Sequence, residues 1–183
     1  MQPYKNRGID EILAQNERRA ARNHDWILLL FRLLITGLIM YLALGVFWGV
    51  SRVYGSSMEP TVKDGDITIF FRHGDYGVGD IVIFYPMGEP DHLIKRVIAV
   101  AGDTVDIDEA AGSLLINGVA QSEPYTFCET HAREGGIEFP VTIPEGSVFL
   151  LGDNRVISKD SRELGLIEKN KITGKVIFTL RAS

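Results

Sequence analysis

Three short segments hold the residue types that a hydrolytic reaction needs. Tyr54-Gly55-Ser56-Ser57-Met58-Glu59-Pro60-Thr61 offers a serine, and Leu93-Ile94-Lys95-Arg96-Val97 offers a lysine among apolar neighbours. Gly152-Asp153-Asn154-Arg155-Val156-Ile157-Ser158-Lys159-Asp160-Ser161-Arg162 offers a polar loop able to orient both. A serine hydroxyl becomes a useful nucleophile only when a base takes its proton, and a lysine amine is a base only when neutral. An ordinary lysine near 10.4 is neutral about 0.04% of the time at pH 7, so it must first lose hydration. The backbone N–H of Ser57 could then help receive the negative oxygen of a tetrahedral intermediate. Each segment alone is ordinary: Gly-Ser-Ser is loop composition, Lys95-Arg96 could be a paired edge-strand couple, and 152–162 reads as a solvated charged loop. Their joint occurrence in this order carries the inference.

The elements that must position these groups follow from periodicity. Residues 33–50 run without a charge, and Trp26 to Phe31 extend the run at its start, interrupted by Arg32. As a helix, 33–50 would be about 27 Å long, near the hydrocarbon thickness, so 26–50 is expected to cross a membrane. Arg32 can snorkel to the headgroups, and Trp26 and Trp48 fall near the two ends, where indoles prefer the interface. Arg18, Arg19 and Arg22 precede the run, which puts residues 1–25 in the cytoplasm and 51–183 outside. The small residues Ala43 and Gly45 would fit a cleaved N-terminal leader, but the long polar lead favours a retained anchor. Beyond it the pattern predicts strands at 66–72, 80–85, 92–100, 104–107, 113–116, 141–143, 148–151 and 176–180, with turns between them. Asn117-Gly118 is a tight-turn signal, and Gly174-Lys175 reads as a turn into the last strand. Only 7–22 and the apolar run look helical. In 92–100, alternation puts Leu93, Lys95, Val97 and Ala99 on one face and Ile94, Arg96, Ile98 and Val100 on the other, with both faces covered.

Composition excludes several classes. From Ser51 onward there are thirteen basic and twenty acidic residues, so no basic stripe exists for a nucleic-acid partner. Cys128 is the only cysteine and His131 lies three residues on, but no third group is in sequence to orient them as a thiol site. The four histidines form no metal-ligand spacing, so neither metal nor other cofactor is expected. Nothing in the pattern sets an oligomeric state.

The segments resemble the bacterial type I signal peptidases, membrane-bound serine/lysine endopeptidases. The resemblance rests on Ser-Met-x-Pro-Thr, on Lys-Arg-Val-Ile-x-x-x-Gly-Asp from Lys95 to Asp103, and on Gly-Asp-Asn-Arg-x-x-Ser-x-Asp-Ser-Arg from Gly152 to Arg162. Glu123-Pro124-Tyr125, Gly165 and Ile172-x-Gly174-Lys175 extend it over 54–180. It implies one mostly β, antiparallel catalytic domain after a single membrane helix, with Ser57 as nucleophile, Lys95 as general base and Ser158 orienting the lysine. Asp153, Asp160 and Arg96 would support them, and Val53, Gly55, Met58, Val62, Leu93 and Ile94 would bind substrate. The implied substrates are secretory preproteins cut after small residues, Ala-x-Ala in type, at the surface of the lipid bilayer. Many members carry a serine two residues before the nucleophile that binds the oxyanion. Gly55 stands there, which removes that side-chain donor. A peptidase dedicated to one pilus or conjugation protein, and a non-catalytic tethered β module that binds exported chains, are the alternatives.

Overall fold

The computed structural model describes residues 7–86 and 91–182; residues 1–6 of the N-terminal segment lie outside it. The long helix α1, Arg7–Phe47, is continuous, so the two expected helices are one element. Its stretch Asp25–Phe47 is long and apolar enough to cross a membrane, and the described side chains from Asp25 to Trp48 are all exposed. The chain divides into Met1–Gly45 and Val46–Ser183, and the second unit carries everything that follows.

That unit is antiparallel and mostly β. Its larger sheet joins β1 (Trp48–Arg52), β2 (Ile67–Phe71), β3 (Ile81–Phe84), β4 (Leu93–Val100), β9 (Ser147–Leu151), β10 (Ile167–Glu168) and β11 (Ile172–Leu180). Their spatial order is β1-β2-β11-β3-β4-β9-β10. The smaller sheet has the order β7-β6-β5-β8, from β5 (Thr104–Asp108), β6 (Ser113–Ile116), β7 (Val119–Ala120) and β8 (Val141–Thr142). A four-residue helix α2, Ser161–Leu164, starts on an Asp160 cap, and a 3₁₀ turn spans Lys169–Lys171. Asn117 and Gly118 both have positive φ, 52° and 77°, the twist that a two-residue hairpin loop requires.

Three differences from the sequence expectation have physical causes. The helix ends at Phe47, not at Val50, because Trp48–Arg52 pairs with β2 over its whole length. Gly49 permits that pairing, since a Cβ there would overlap the Phe70 ring. Trp48 therefore belongs to a strand and packs edge-on against Phe71, 5.4 Å between centroids. The last strand begins at Ile172, and Gly174 lies inside it rather than in a turn: a Cβ at Gly174 would stand 2.5 Å from Phe71 O of the neighbouring strand. The alternation in β4 breaks after Val97, where the register against β9 shifts between Val97 and Ala99. Ile98 and Ala99 consequently share one core with Val105, Leu114, Ile143, Phe149 and Leu151. Val97 faces another with Val82, Phe84, Val148 and Leu150. β4 and β9 are thus covered on both faces, as a rigid platform for a site should be.

Candidate active site

Ser57 and Lys95 meet. Val53, Met58 and Val62 form a small core beneath the segment that carries Ser57, and Val62 N–H closes a helical turn on Met58 O at 2.9 Å. β4 delivers Lys95 from the opposite side, 1% exposed, with Nζ 2.8 Å from Ser57 Oγ and 2.8 Å from the carbonyl of Ile94. Among the described residues no carboxylate pairs with Nζ. Burial pulls the lysine down to about 8, against the opposing pull of Asp160 and Asp153. At that value about a tenth of the amine is neutral at pH 7, some two hundred times more than for an ordinary lysine. Such an amine can accept the Ser57 proton while donating to Ile94 O. The Ser57 N–H donates to nothing among the described residues and stays available to a developing oxyanion.

The third segment is a buried scaffold rather than a solvated loop. Asp153, Arg155, Ser158, Asp160, Ser161 and Arg162 are each at most 2% exposed. Arg96 forks onto Asp153, Nε to Oδ1 at 2.8 Å and Nη2 to Oδ2 at 2.6 Å, and Thr61 Oγ1 donates to the same carboxylate at 2.5 Å. Arg162 pairs with Asp160 at 2.9 Å, and Asp160 Oδ2 also accepts from Gly152 N–H. Asn154 N–H donates to Ser57 O at 3.0 Å, tying the loop to the serine. Gly152 lies where these lines cross; a Cβ there would overlap Ser57 O and Ser158 Oγ.

Ser158 is buried beside Gly152, but its Oγ makes no hydrogen bond among the described residues, to Lys95 or to any other group. Ser161 is engaged elsewhere, its Oγ accepting from Leu150 N–H at 2.9 Å. Of the expected substrate contacts, Val53, Leu93 and Ile94 line a cleft of about 480 Å³ that reaches Ser57 and Lys95. Met58 and Val62 do not: both are 1% exposed and belong to the core under the serine. Gly55 is not part of the lining either; it is exposed, with φ +83° and its N–H held by Asp64 Oδ1 at 2.7 Å. The cleft is otherwise lined by Ser51, Arg52, Tyr54, Thr68, Ile83, Asp91 and His92. His92 packs edge-on against Tyr85 at 4.5 Å, and its Nδ1 lies 3.4 Å from Thr173 Oγ1. Cys128 and His131 do not form a pair: the thiol lies 3.9 Å from Asn154 Oδ1, while the imidazole is held between Glu109 and Glu129.

Sequence reasoning gave no role to Thr61, Asn154, Glu123 or Tyr125. The signal for Thr61, Glu123 and Tyr125 was their place in the matched motifs. Asn154 held its place too, but its contact runs through the backbone, which residue type does not report.

Residues 24–181 match the family model described as signal peptidase, peptidase S26. The chain is 37% identical over 144 residues to signal peptidase IB of Staphylococcus aureus, which covers 69% of this chain and 74% of that protein. It is 39% identical over 137 residues to signal peptidase I of Bacillus licheniformis, with 69% and 73% covered. A crystal structure of a signal peptidase I from Enterococcus faecalis aligns at 30% identity over 57% of this chain and 98% of that one, with a TM-score of 0.48. The chain belongs to the S26 signal peptidases, a family of serine endopeptidases.

Proposed function

We propose that this protein removes signal peptides from exported preproteins through a Ser57–Lys95 dyad. The observation that carries the reading is the 2.8 Å contact between Ser57 Oγ and an amine buried without a carboxylate partner among the described residues. Neutral Lys95 takes the Ser57 proton as Oγ attacks the scissile carbonyl, and the oxyanion forms against the Ser57 N–H. Lys95 then returns the proton to the leaving amine, which frees the mature chain and leaves the signal peptide esterified to Ser57. Water, activated by the same amine, hydrolyses that ester. Asp153 and Arg96 hold Lys95 and Ser57 in register through Thr61, and Asp160 holds the loop. A neutral amine that donates to Ile94 O and receives the serine proton has one N–H left. The unpartnered Ser158 Oγ is the acceptor we assign to it.

The cleft supports a short, extended substrate. β9 pairs with β4 only from Arg96 onward, so among the described residues no strand pairs with Leu93, Ile94 and Lys95 on that side. Val97 bonds to Asp80 and Gly79 on the β3 side, so alternation turns the Ile94 N–H and C=O to the open side. A peptide strand laid there would present its first and third side chains before the cut to the same wall, where Val53, Leu93 and Ile94 leave room for small residues.

A lipid surface is supported by the outer face of the larger sheet. Register places Trp48, Val50, Ile67, Phe178 and Leu180 on one face, and all five are exposed. This apolar face fits contact with the bilayer that Asp25–Phe47 would span, with residues 1–25 on the cytoplasmic side and the peptidase unit outside. The test is cleavage of a panel of preproteins by purified full-length protein in detergent. Cuts after Ala-x-Ala sites, absent with Ser57→Ala, are expected; cleavage of one pilin-type substrate alone would indicate a dedicated enzyme, and binding without cleavage a tether.

A further inference from the structure

We infer that Glu123 is a positioning residue for the peptidase reaction, fixing through Arg155 the backbone against which the nucleophile rests. The inference rests on the proposed Ser57–Lys95 dyad and adds a carboxylate that reaches the site from outside its own segments. Glu123 follows the β6–β7 hairpin, and its side chain is 9% exposed. Both carboxylate oxygens meet Arg155, Oε1 to Nη2 at 2.6 Å and Oε2 to Nη1 at 2.9 Å. The Arg155 side chain is fully buried and also donates to Thr130 Oγ1. Its Nε donates to Gly152 O at 2.9 Å, and Gly152 is the residue with no room for a Cβ between Ser57 O and Ser158 Oγ. Two residues further along, Asn154 N–H holds Ser57 O.

A second arm of the same carboxylate leads to the lysine. Tyr125 donates its hydroxyl to Glu123 Oε1 at 2.8 Å, and the Arg96 guanidinium lies 4.1 Å over the Tyr125 ring. Arg96 is the residue after Lys95 and forks onto Asp153. Asp153 and Asp160 are local to the 152–162 loop, whereas Glu123 comes from 32 residues upstream of Arg155. It therefore braces both halves of the dyad from the side of the smaller sheet. A dry guanidinium cannot be left without its counter-charge. Without Glu123 the loop must open until Arg155 is hydrated, and Ser57 O loses its backing. The walls of the cleft, at 51–54 and 91–94, make none of these contacts and should keep their shape.

The prediction is a loss in turnover with binding spared. Glu123→Gln should lower kcat about 10- to 100-fold, the scale of a misplaced reacting group, with KM within about twofold. Tyr125→Phe, which removes one hydrogen bond but keeps the ring under Arg96, should lower kcat less. Val105→Ala, a cavity in the smaller sheet's core, serves as a control for lost stability alone. Full-length proteins are compared on one Ala-x-Ala peptide, beside Ser57→Ala, with thermal melts recorded for each. Unchanged kcat in folded Glu123→Gln beside an inactive Ser57→Ala would overturn the inference alone, as would a kcat loss no larger than that of Val105→Ala. If Glu123→Gln does not fold, wild-type kcat in Tyr125→Phe overturns it. Cleavage by Ser57→Ala would remove the dyad and this inference with it.

Discussion

Lys95 and Arg96 are adjacent cations on one buried strand, and their surroundings are opposite. Arg96 is neutralised by a two-pronged carboxylate, a carbonyl from Gly79 and an aromatic face. Arg155 and Arg162 are paired in the same way, with Glu123 and Asp160. Lys95 has a serine hydroxyl and a carbonyl, and no described carboxylate. Burial disfavours the charge at both residues; at Arg96 the Asp153 carboxylate outweighs it and the proton affinity rises, whereas at Lys95 the opposing pull of Asp160 and Asp153 does not, and the proton affinity falls. The comparison teaches how one site holds charged structural groups and a neutral reactive one side by side. The forks absorb the carboxylates that would otherwise hold the lysine protonated.

The comparison can be broken most severely at the dyad. Ser57→Ala and Lys95→Ala should each abolish cleavage in folded protein, because nucleophile and base act as one unit. Lys95→Arg should fail equally, since a guanidinium does not give up its proton. Peptide turnover with circular dichroism on the same samples checks both. A paired charge should respond differently: Asp153→Ala strands a buried Arg96 and should cost about 3–5 kcal/mol of stability, read by urea denaturation. Ser158→Ala removes the proposed acceptor of the remaining Lys95 N–H and should slow kcat about 10- to 1000-fold while leaving the melting temperature nearly unchanged. A smaller loss, or none, would make Ser158 packing only.

The mildest test concerns stability. The lysine falls from an ordinary 10.5 to about 8 in the fold, so keeping it charged and dry costs about 3 kcal/mol at neutral pH. The unfolded chain binds more protons between those two values, so this cost is fully present below pH 8 and fades as pH rises through 10.5. Lys95→Met should therefore be at least as stable as the parent at pH 7 and lose that advantage near pH 10. Denaturant midpoints at the two pH values decide it.

Much of this was legible in the chain. The apolar run predicted a span, period-two alternation located eight of the strands, and Lys95 among apolar neighbours announced a desolvated amine. What was not legible depends on contacts distant in sequence. Trp48-Gly49-Val50 continues the apolar helix by composition, and only pairing with β2 makes it a strand. Met58 and Val62 are apolar residues near the serine, which suits a pocket or a core equally; the fold put them underneath. The 152–162 loop has the composition of a solvated surface, and it is buried because Asp153 and Arg155 find Arg96 and Glu123 across 57 and 32 residues. The bulge after Val97 depends on β9, so alternation within β4 could not reveal it.

The pH–rate profile tests the central claim most directly. If buried Lys95 is the base, with Asp160 and Asp153 the carboxylates that oppose its neutral form, kcat should rise along a single ionisation with a midpoint near about 8. A midpoint near about 4–5 would assign the base to a carboxylate, and one near about 6.5 that disappears in His92→Ala would assign it to His92. Either result would contradict the account.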